Sequence, residues 1–334
     1  MYKYKGNLEE IIFDPSHSSA LAMKAIEAER NAGSGLRFGI HGLDRHFVMN
    51  KRGKLVGVYA YTSHGKTAFL KFAARNFLTQ LDKDNEEIGI FWTSEDSVES
   101  FAISDMSIIS KVPMSSVYNG SITEADMKKM VKAGAERSEK PLWIVGHSDY
   151  AESKTFNPRL TMTDFLLVME NILEKQKRNV RFVMIDYLQL INIADNTDFD
   201  TTRTKFNASI KAMRDLAHGY NLTVYCATQV KRDVSERKWN MPQLADAQET
   251  SGFEQSCDAA IGLWYVHRNW PLMKVVQEAM PNSEAITVTK QLVLAETLKQ
   301  KDGDANIYTA LDFLPEYGLY LPYGEGMNFI REQK

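Results

Sequence analysis

The sequence predicts an α/β fold with a mostly parallel sheet flanked by helices. Short apolar runs alternate with longer helical patterns from residue 54 onward, which is typical of strands joined by crossover helices. A loop that ends in Gly65, Lys66 and Thr67 stands where the first strand gives way to the first of these helices. Beyond Ile286 the pattern changes to alternating strands, which predicts a hairpin at the edge of the sheet.

The composition places the chain in the globular class. With 334 residues, 44% of them hydrophobic and 25% charged, it can bury a sizeable core. The net charge of −3 excludes a global positive field that would attract nucleic acid, so any such contact must be local. Cys226 and Cys257 stand in or beside apolar runs without metal-ligand spacing, which predicts buried thiols in a cytoplasmic protein. No apolar run approaches the roughly 18 to 20 residues of a membrane span.

Six apolar runs predict strands at residues 54–59, 87–93, 142–145, 180–185, 222–227 and 259–266. The intervening helical patterns cover residues 67–80, 98–110, 123–137, 161–178 and 204–218. Thr123 and Thr161 are predicted N-caps. The hairpin is predicted from strands at 286–292 and 308–314, joined through the polar loop 299–306.

The N-terminal segment predicts an isolated amphipathic helix at residues 18–31, because its apolar residues recur at helical spacing. The glycine-containing residues 32–35 then end the helix and form a hinge. We therefore predict an arm with a linker helix at residues 1–37 and one domain at residues 38–334. The helix could pack on its own domain, but the flexible hinge favours packing on a neighbouring subunit.

The loop at residues 60–67 has the sequence and the setting of a phosphate-binding loop. Backbone N–H groups and the positive end of the following helix would hold the phosphates of ATP, and Gly65 permits close approach. Lys66 would reach the β- and γ-phosphates and Thr67 would bind Mg²⁺. Ala60 stands where the motif has glycine, a mild departure. The predicted nucleotide-binding residues are Ala60, Ser63, His64, Gly65, Lys66, Thr67 and Ala68.

Polar residues end three further strands, where ligands gather in open α/β sheets. Asp186 follows the apolar strand at 180–185 and is the predicted second ligand of Mg²⁺, besides Thr67. Glu95 could orient the attacking water as a catalytic base. Asp96 is the alternative, although it could equally cap the helix that begins near Val98. Gln229, at the end of its strand, is a candidate sensor of the γ-phosphate.

These segments together resemble the C-terminal motor domain of the DnaB-type replicative helicases, from Phe38 to Leu321. The resemblance lies in residues 38–45, in the phosphate loop at 63–69, in residues 118–126, in the run V-M-I-D-Y-L-Q-L at 183–190, and in residues 251–258. The family has a RecA-like P-loop NTPase core. The resemblance implies a ring, usually hexameric, with ATP between subunits and single-stranded DNA in the centre. It also implies Glu95 as catalytic base and Gln229 as sensor.

Three departures from the family pattern affect these expectations. Fewer than 40 residues precede the motor, so we expect no primase contact through the family's N-terminal helical domain, although a helicase loader or a primase stays a possible partner. Lys301 stands where the family has its arginine finger, after Lys299 and Gln300, and supplies a point charge without the bidentate fork. Residues 247–250 lack the family's basic residue, and the loop 195–200 is acidic.

DNA contact would therefore depend on the basic cluster after Gln229 and on backbone N–H groups in the channel loop. A solvated surface loop explains the same cluster equally well. The predicted nucleic-acid-binding residues are Lys231, Arg232, Arg237, Lys238, Ser251 and Gly252.

The favoured function is an ATP-dependent, ring-forming DNA helicase or translocase of a size that suits a phage or mobile-element replication system. One rival is a RecA-like recombinase or regulatory ATPase that does not unwind DNA. The other is an interaction protein that keeps nucleotide as a structural cofactor. Lys301 and the acidic loop make the second rival conceivable.

Overall fold

A computed structural model of the chain describes residues 13–32, 35–150, 160–187, 202–230, 237, 239–247, 251–276 and 285–332. Contacts divide the chain into two compact units, Met1–Gly35 and Leu36–Lys334. The division into an arm at residues 1–37 and a domain at residues 38–334 stays a prediction. None of the helices in the described ranges is both long and apolar enough to cross a membrane.

One sheet organises the larger unit and confirms the predicted fold class. Within the described residues it has nine strands in the order β3-β2-β4-β5-β1-β6-β7-β8-β9. The strands are β1 (Lys54–Ala60), β2 (Glu87–Thr93), β3 (Leu142–Val145), β4 (Asn179–Asp186), β5 (Thr223–Gln229), β6 (Ala259–Tyr265), β7 (Leu292–Gln300), β8 (Ile307–Leu314) and β9 (Leu319–Pro322).

The first six strands are parallel to one another, and each lies within about two residues of its predicted position. β1 lies between β5 and β6, and its residues are buried except at Lys54. Burial on both faces of the sheet explains why these strands are near-continuous apolar runs. Because all six point the same way, their carboxyl ends lie along one edge of the sheet. We call this the carboxyl edge and the opposite one the amino edge.

The antiparallel extension differs from the prediction. The prediction of a strand at 286–292 is wrong, because β7 begins at Leu292 and continues to Gln300, where it pairs with both β6 and β8. Ile286 and Val288 instead exchange backbone hydrogen bonds with residues 273–276, so this segment is satisfied outside the sheet. The loop predicted at 299–306 correspondingly begins after Gln300. The short strand β9 had no sequence prediction.

Helices cover the faces of the sheet, and the caps follow the sequence. Thr123 and Thr161 each accept a hydrogen bond from the third residue of their helix, as predicted. The helix predicted at 161–178 is α-helical only to Glu170 and continues as a π-helical segment, Asn171–Lys175. The helices are α1 (Pro15–Ala32), α2 (His41–His46), α3 (Lys66–Leu78), α4 (Val98–Ser110), α5 (Met114–Tyr118), α6 (Glu124–Ser138), α7 (Met162–Glu170), α8 (Thr202–Gly219), α9 (Ser251–Ser256) and α10 (Gly326–Glu332).

Two apolar layers enclose the parallel strands. One contains the buried face of α3, including Phe69 and Phe77, packed against strand residues such as Val58. The other contains residues of α7 and α8, among them Phe165 and Ile210, against the opposite face. Cys226 and Cys257 are buried free thiols in this second layer, as predicted. The helix that follows the phosphate loop, α3, packs on the central parallel strands and also contacts β9.

Candidate functional site

The loop at residues 60–67 connects β1 to α3 at the carboxyl edge. Gly65 has a φ of 83°, a left-handed conformation that glycine adopts without strain. Its carbonyl accepts a hydrogen bond from the Tyr320 hydroxyl at 3.1 Å, and a Cβ at this position would collide with the same hydroxyl. Gly65 is therefore required both by the backbone conformation and by the packing of β9 against the loop.

His64 anchors the loop through its side chain. The ring is 6% exposed, and its Nδ1 accepts a hydrogen bond of 3.1 Å from the Tyr265 N–H at the end of β6. Burial, with smaller contributions from the nearby Arg268 and His267, lowers the pKa of His64 to about 4. The imidazole is thus neutral at physiological pH. His64 can contribute its backbone to nucleotide binding while its ring holds the loop against the sheet.

Lys66 and Asp186 are the buried charges of the site. Lys66 is 7% exposed, and its Nζ lies 4.5 Å from the centroid of the Tyr187 ring. Asp186 ends β4 and is fully buried. Burial raises the pKa of Asp186 to about 6, although the nearby Thr67 hydroxyl and the Lys66 ammonium oppose the rise. Within the described residues, neither charge has an ion pair.

The surroundings of Asp186 fit a divalent cation. Neither of its carboxylate oxygens accepts a hydrogen bond of ordinary geometry from the described residues, although both are buried. An unsatisfied buried carboxylate is costly unless a ligand or a cation completes it. The Thr67 hydroxyl lies close enough to affect the Asp186 pKa, so a carboxylate and a hydroxyl face the same space. Hard oxygen ligands of this kind suit Mg²⁺.

Gln229 lies directly beside the loop. It is the register partner of Ala60 in the pairing of β1 with β5. Its Nε2 donates a hydrogen bond of 2.7 Å to the Thr62 hydroxyl. A change at the phosphate loop can therefore reach the end of β5 through one side chain, which is the geometry that a sensor requires.

The turn after β2 separates the two carboxylates that the sequence left as alternatives. Glu95 is exposed and lines the pocket beside the loop, and it has neither a hydrogen bond nor an ion pair among the described residues. The Asp96 carboxylate instead accepts a hydrogen bond of 2.9 Å from Lys71. Asp96 does not cap α4, because Ser97 is the N-cap and accepts from the Ser100 N–H. The geometry thus favours Glu95 as the base.

The pocket extends beyond the phosphate loop and has a volume of about 490 Å³. Its far side is formed by α4, α5 and the antiparallel strands. The Arg268 guanidinium lies 5.6 Å from the centroid of the Tyr265 ring, so a cation and an aromatic face stand together there. Tyr265 ends β6 and Arg268 follows three residues later. Their place at the carboxyl end of a parallel strand, the rule that pointed to Asp186, is the sequence signal that could have found them. The lining residues without a sequence prediction include Lys71, Ser100, Met114, Tyr118, Tyr265, Arg268 and Phe313.

Lys301 lies at the amino edge and not at the nucleotide pocket. Ala259, the first residue of β6, pairs with Gln300 and with Val56, so Lys301 lies beyond the amino end of β6 and near the amino end of β1. β1 has seven residues, so roughly 20 Å separates the edges at about 3.3 Å per residue. The Lys301 ammonium forms an ion pair with the buried Asp258. Within one chain, Lys301 cannot reach the phosphate loop.

Three of the predicted nucleic-acid-binding residues, Lys231, Arg232 and Lys238, lie outside the described residues. Arg237 forms a bidentate ion pair with Asp246, with both N–O distances at 2.7 Å. This pair engages the guanidinium within the chain. Ser251 and Gly252 begin α9, and the Gly252 backbone is so close to the Asn207 side chain that a Cβ would collide with it.

Comparisons with known proteins identify the family of this chain. The sequence profile described as DnaB-like helicase C terminal domain matches residues 35–317. The chain is 27% identical over 255 residues to the replicative DNA helicase DnaB of Mycoplasma pneumoniae, covering 75% of this chain and 49% of that protein. It is 24% identical over 231 residues to the replicative DNA helicase DnaC of Bacillus subtilis, covering 69% and 47%. The chain spans about half the length of these relatives.

Solved structures show the same fold. A solved ATPase domain superposes with a TM-score of 0.71 at 22% identity, covering 93% of this chain and 99% of that one. A DnaB-like replicative helicase, solved to study its interactions with primase, gives a TM-score of 0.70 at 22% identity, covering 93% and 67%. The family resemblance and the predicted RecA-like class of fold are confirmed. A P-loop at the carboxyl edge of this sheet implies nucleotide binding, and the chain belongs to the family of DnaB-like helicase C-terminal domains.

Proposed function

We propose that this chain is the motor of a ring-forming DNA helicase that hydrolyses ATP with Mg²⁺ and translocates on single-stranded DNA in replication. The observation that carries the proposal is the convergence of Lys66, Thr67 and Asp186 at the carboxyl edge, with Glu95 in the same pocket. The family membership supports the choice of a helicase over the two rivals.

Each residue has one proposed role in hydrolysis. The backbone from Ser63 to Ala68 binds the phosphates at the start of α3, and the Lys66 ammonium neutralises the β- and γ-phosphates. Thr67 and Asp186 would hold Mg²⁺, which supplies charge neutralisation to the transferring phosphoryl group. Glu95 orients the attacking water and accepts its proton. Gln229 senses the γ-phosphate through its contact with Thr62.

Lys301 is proposed to act on the ATP of an adjacent subunit. Its distance from its own phosphate loop excludes a role there. In the proposed ring, the amino edge of one subunit would face the carboxyl edge of the next. The competing role is structural, because Lys301 already neutralises the buried Asp258. The proposed ring is six-fold, as is usual for the family. The Lys301 side chain is 44% exposed, so it can neutralise Asp258 and also contact the neighbouring subunit.

DNA contact is proposed for Lys231, Arg232, Lys238, Ser251 and Gly252 on the channel side of the ring. Arg237 has a different proposed role, because its guanidinium is paired with Asp246 within the chain. A helicase loader or a primase is a further proposed partner. The interaction with primase is known for the related solved helicase, and for this chain it is a proposal.

One pair of assays tests the proposal. We expect ATP hydrolysis that single-stranded DNA stimulates, together with unwinding of a forked duplex. Stimulated hydrolysis with filaments but without unwinding would favour a recombinase or a regulatory ATPase. Nucleotide binding without any turnover would favour the interaction protein. A chain that binds no nucleotide would contradict all three.

A further inference from the structure

Lys71 is a buried charge beside the nucleotide pocket that has no role in the mechanism above. It lies on α3, five residues after Lys66, and its side chain is 7% exposed. Its Nζ donates a hydrogen bond of 2.9 Å to the Asp96 carboxylate and lies 4.8 Å from the centroid of the Phe101 ring. A buried ammonium is costly without a partner, so the position of Lys71 and that of Asp96 are linked.

Asp96 belongs to a turn that is held from several sides. The Thr93 hydroxyl accepts a hydrogen bond of 3.1 Å from the Asp96 N–H and donates one of 2.9 Å to the Asp96 carbonyl. The Ser94 N–H donates to the backbone carbonyl of Asp186 at 2.9 Å. Ser97 then caps α4. Of these contacts, the ion pair with Lys71 is the one that joins the turn to the helix of the phosphate loop.

Glu95 lies inside this turn, with its backbone fixed on both sides and its carboxylate exposed in the pocket. We propose that Lys71 is a positioning residue: its ion pair with Asp96 holds the turn that carries Glu95 against α3, at a set distance from the bound γ-phosphate. The inference rests on the proposed function, because it assigns Lys71 through the base Glu95. It extends that function with a residue that contacts no substrate.

Direct phosphate binding by Lys71 is the alternative, and its position argues against it. Five residues along a helix correspond to about 7.5 Å at 1.5 Å per residue. Lys71 is therefore displaced along α3 from the amino-terminal end where phosphates bind. Its ammonium is also engaged by Asp96 and covered by Phe101. The Lys66 ammonium also lies near an aromatic ring, that of Tyr187, but it has no ion pair among the described residues.

A double-mutant cycle with the whole chain tests the proposal. We expect Lys71→Met and Asp96→Asn each to lower kcat for ATP by about 10- to 100-fold, the cost of a base displaced by about 1 Å. KM and the Kd for a non-hydrolysable ATP analogue should change by less than about 3-fold, since the phosphate ligands are intact. The double variant should be no worse than either single one, because both remove the same pair. Lys71→Arg should restore most of kcat.

Asp105→Asn is the matched control. Asp105, in α4, forms an ion pair of 3.1 Å with Arg75 in α3 and a second one of 3.4 Å with Arg137. The variant therefore removes a charge pair of α3 but leaves the turn at Asp96 unchanged, and the Arg75 and Asp105 side chains are 14% and 7% exposed. Neither residue lines the pocket. This variant should lower the thermal stability as much as Lys71→Met does, with kcat kept near the wild-type value. Equal loss of kcat in Asp105→Asn would mean that helix packing alone explains the effect.

Two other results would overturn the positioning role. Wild-type kcat in Lys71→Met would exclude it. A weaker Kd for the analogue in Lys71→Met, but not in Asp96→Asn, would make Lys71 a phosphate ligand.

Glu95→Gln tests the proposed base separately, and retained turnover in that variant would exclude both the base and the positioning role. If the wild type proves inactive, hydrogen exchange still decides: the Ser94 and Asp96 amides should exchange faster in Lys71→Met than in Asp105→Asn, and equal exchange would refute the ion pair's role.

Discussion

The charges that surround the phosphate loop and those at the amino edge of the sheet differ in whether they form ion pairs. At the carboxyl edge, Lys66, Glu95 and Asp186 have no ion pair among the described residues, although two of them are buried. At the amino edge, Asp258 is paired with Lys301 and also accepts a hydrogen bond of 3.0 Å from the Leu55 N–H. Another amino-edge pair joins Arg52 to Glu87.

The difference separates residues that serve a ligand from residues that serve the fold. An unpaired buried charge lowers stability, and it persists only where the surrounding packing fixes it and a function requires it. The apolar strands on both sides of β4 supply that packing for Asp186. Substitutions at the carboxyl edge should therefore affect activity more than stability, and the opposite should hold at the amino edge. The following predictions test this contrast, beginning with the largest expected effect.

The largest effect is expected at the carboxyl edge. Lys66→Ala should lower ATP turnover by about 1,000-fold or more, because it removes the main charge that faces the β- and γ-phosphates. Glu95→Gln should stop hydrolysis comparably while nucleotide binding persists, since an amide cannot accept the proton. Turnover and analogue binding measure both, and Lys54→Ala, at the other end of β1, is the control. Wild-type turnover in Lys66→Ala would contradict the phosphate-binding role of the loop. An equal loss of nucleotide binding in Glu95→Gln would contradict the role of Glu95 as the base.

The second prediction concerns Lys301, an amino-edge residue with a proposed task at the neighbour's carboxyl edge. Lys301→Ala and Lys66→Ala should each be inactive, but mixing the two should restore part of the turnover. Mixed rings contain interfaces that join an intact phosphate loop to an intact Lys301. Lys301→Arg should keep or raise the rate, because its guanidinium supplies the same charge with a bidentate fork.

Normal DNA-stimulated hydrolysis by Lys301→Ala alone would contradict this role and leave Lys301 as the partner of Asp258. Lys299 and Arg268 are the next candidates for a residue that acts across the interface. Lys299 donates a hydrogen bond of 2.6 Å to the Glu254 carbonyl near the amino edge. Arg268 lines the nucleotide pocket of its own chain, so the mixing assay with Arg268→Ala distinguishes a role within its own subunit, which gives no complementation, from a role across the interface, which gives complementation.

The third prediction is that removal of residues 1–35 weakens the contact between the carboxyl edge of one subunit and the amino edge of the next. The arm helix α1 exposes Leu21, Met23 and Ile26, at 40%, 57% and 58%. If this apolar face packs on a neighbouring subunit, the truncated chain should form smaller oligomers and lose Lys301-dependent hydrolysis, while it keeps nucleotide binding. Light scattering with nucleotide measures the oligomer. An unchanged oligomer would mean that α1 packs within its own chain.

The smallest effect is expected for stability at the amino edge. Asp258→Asn should lower the free energy of unfolding at pH 7 by about 1 to 3 kcal/mol, because it breaks a partly buried charge pair. Burial alone would raise the pKa of Asp258, but the Lys301 ammonium and the Leu55 N–H outweigh it and hold the pKa below the ordinary 3.8.

A lowered carboxyl pKa stabilises the folded state above the unfolded pKa, and this contribution is lost as the pH falls through the folded value. The difference in stability between the wild type and Asp258→Asn should therefore be constant near neutral pH and shrink below about pH 4, the ordinary range of an aspartate. Denaturant unfolding at several pH values measures it. A difference that grows in acid would contradict the ion pair.

The sequence by itself determined the parallel strands and the residues at their carboxyl ends. Strands buried on both faces need apolar runs, and the loop residues 60–67 need glycine, lysine and threonine at fixed positions, so both leave a local signal. Asp186 and Glu95 follow from their places at strand ends, whereas the choice of Gln229 depended on the family resemblance. The structure brings all three to the edge that the parallel order requires.

Only the tertiary structure decided the contacts between segments that are distant in sequence. The pairing of His64 with Tyr265 joins residues 201 positions apart, and the Lys301 partner at Asp258 depends on a strand register that no local pattern encodes. The start of β7 was misjudged because Ile286 has the apolar pattern of a strand but finds its hydrogen bonds in a loop. Lys71 had no sequence signal at all, since its function depends on a turn that packing brings to it from 25 residues away.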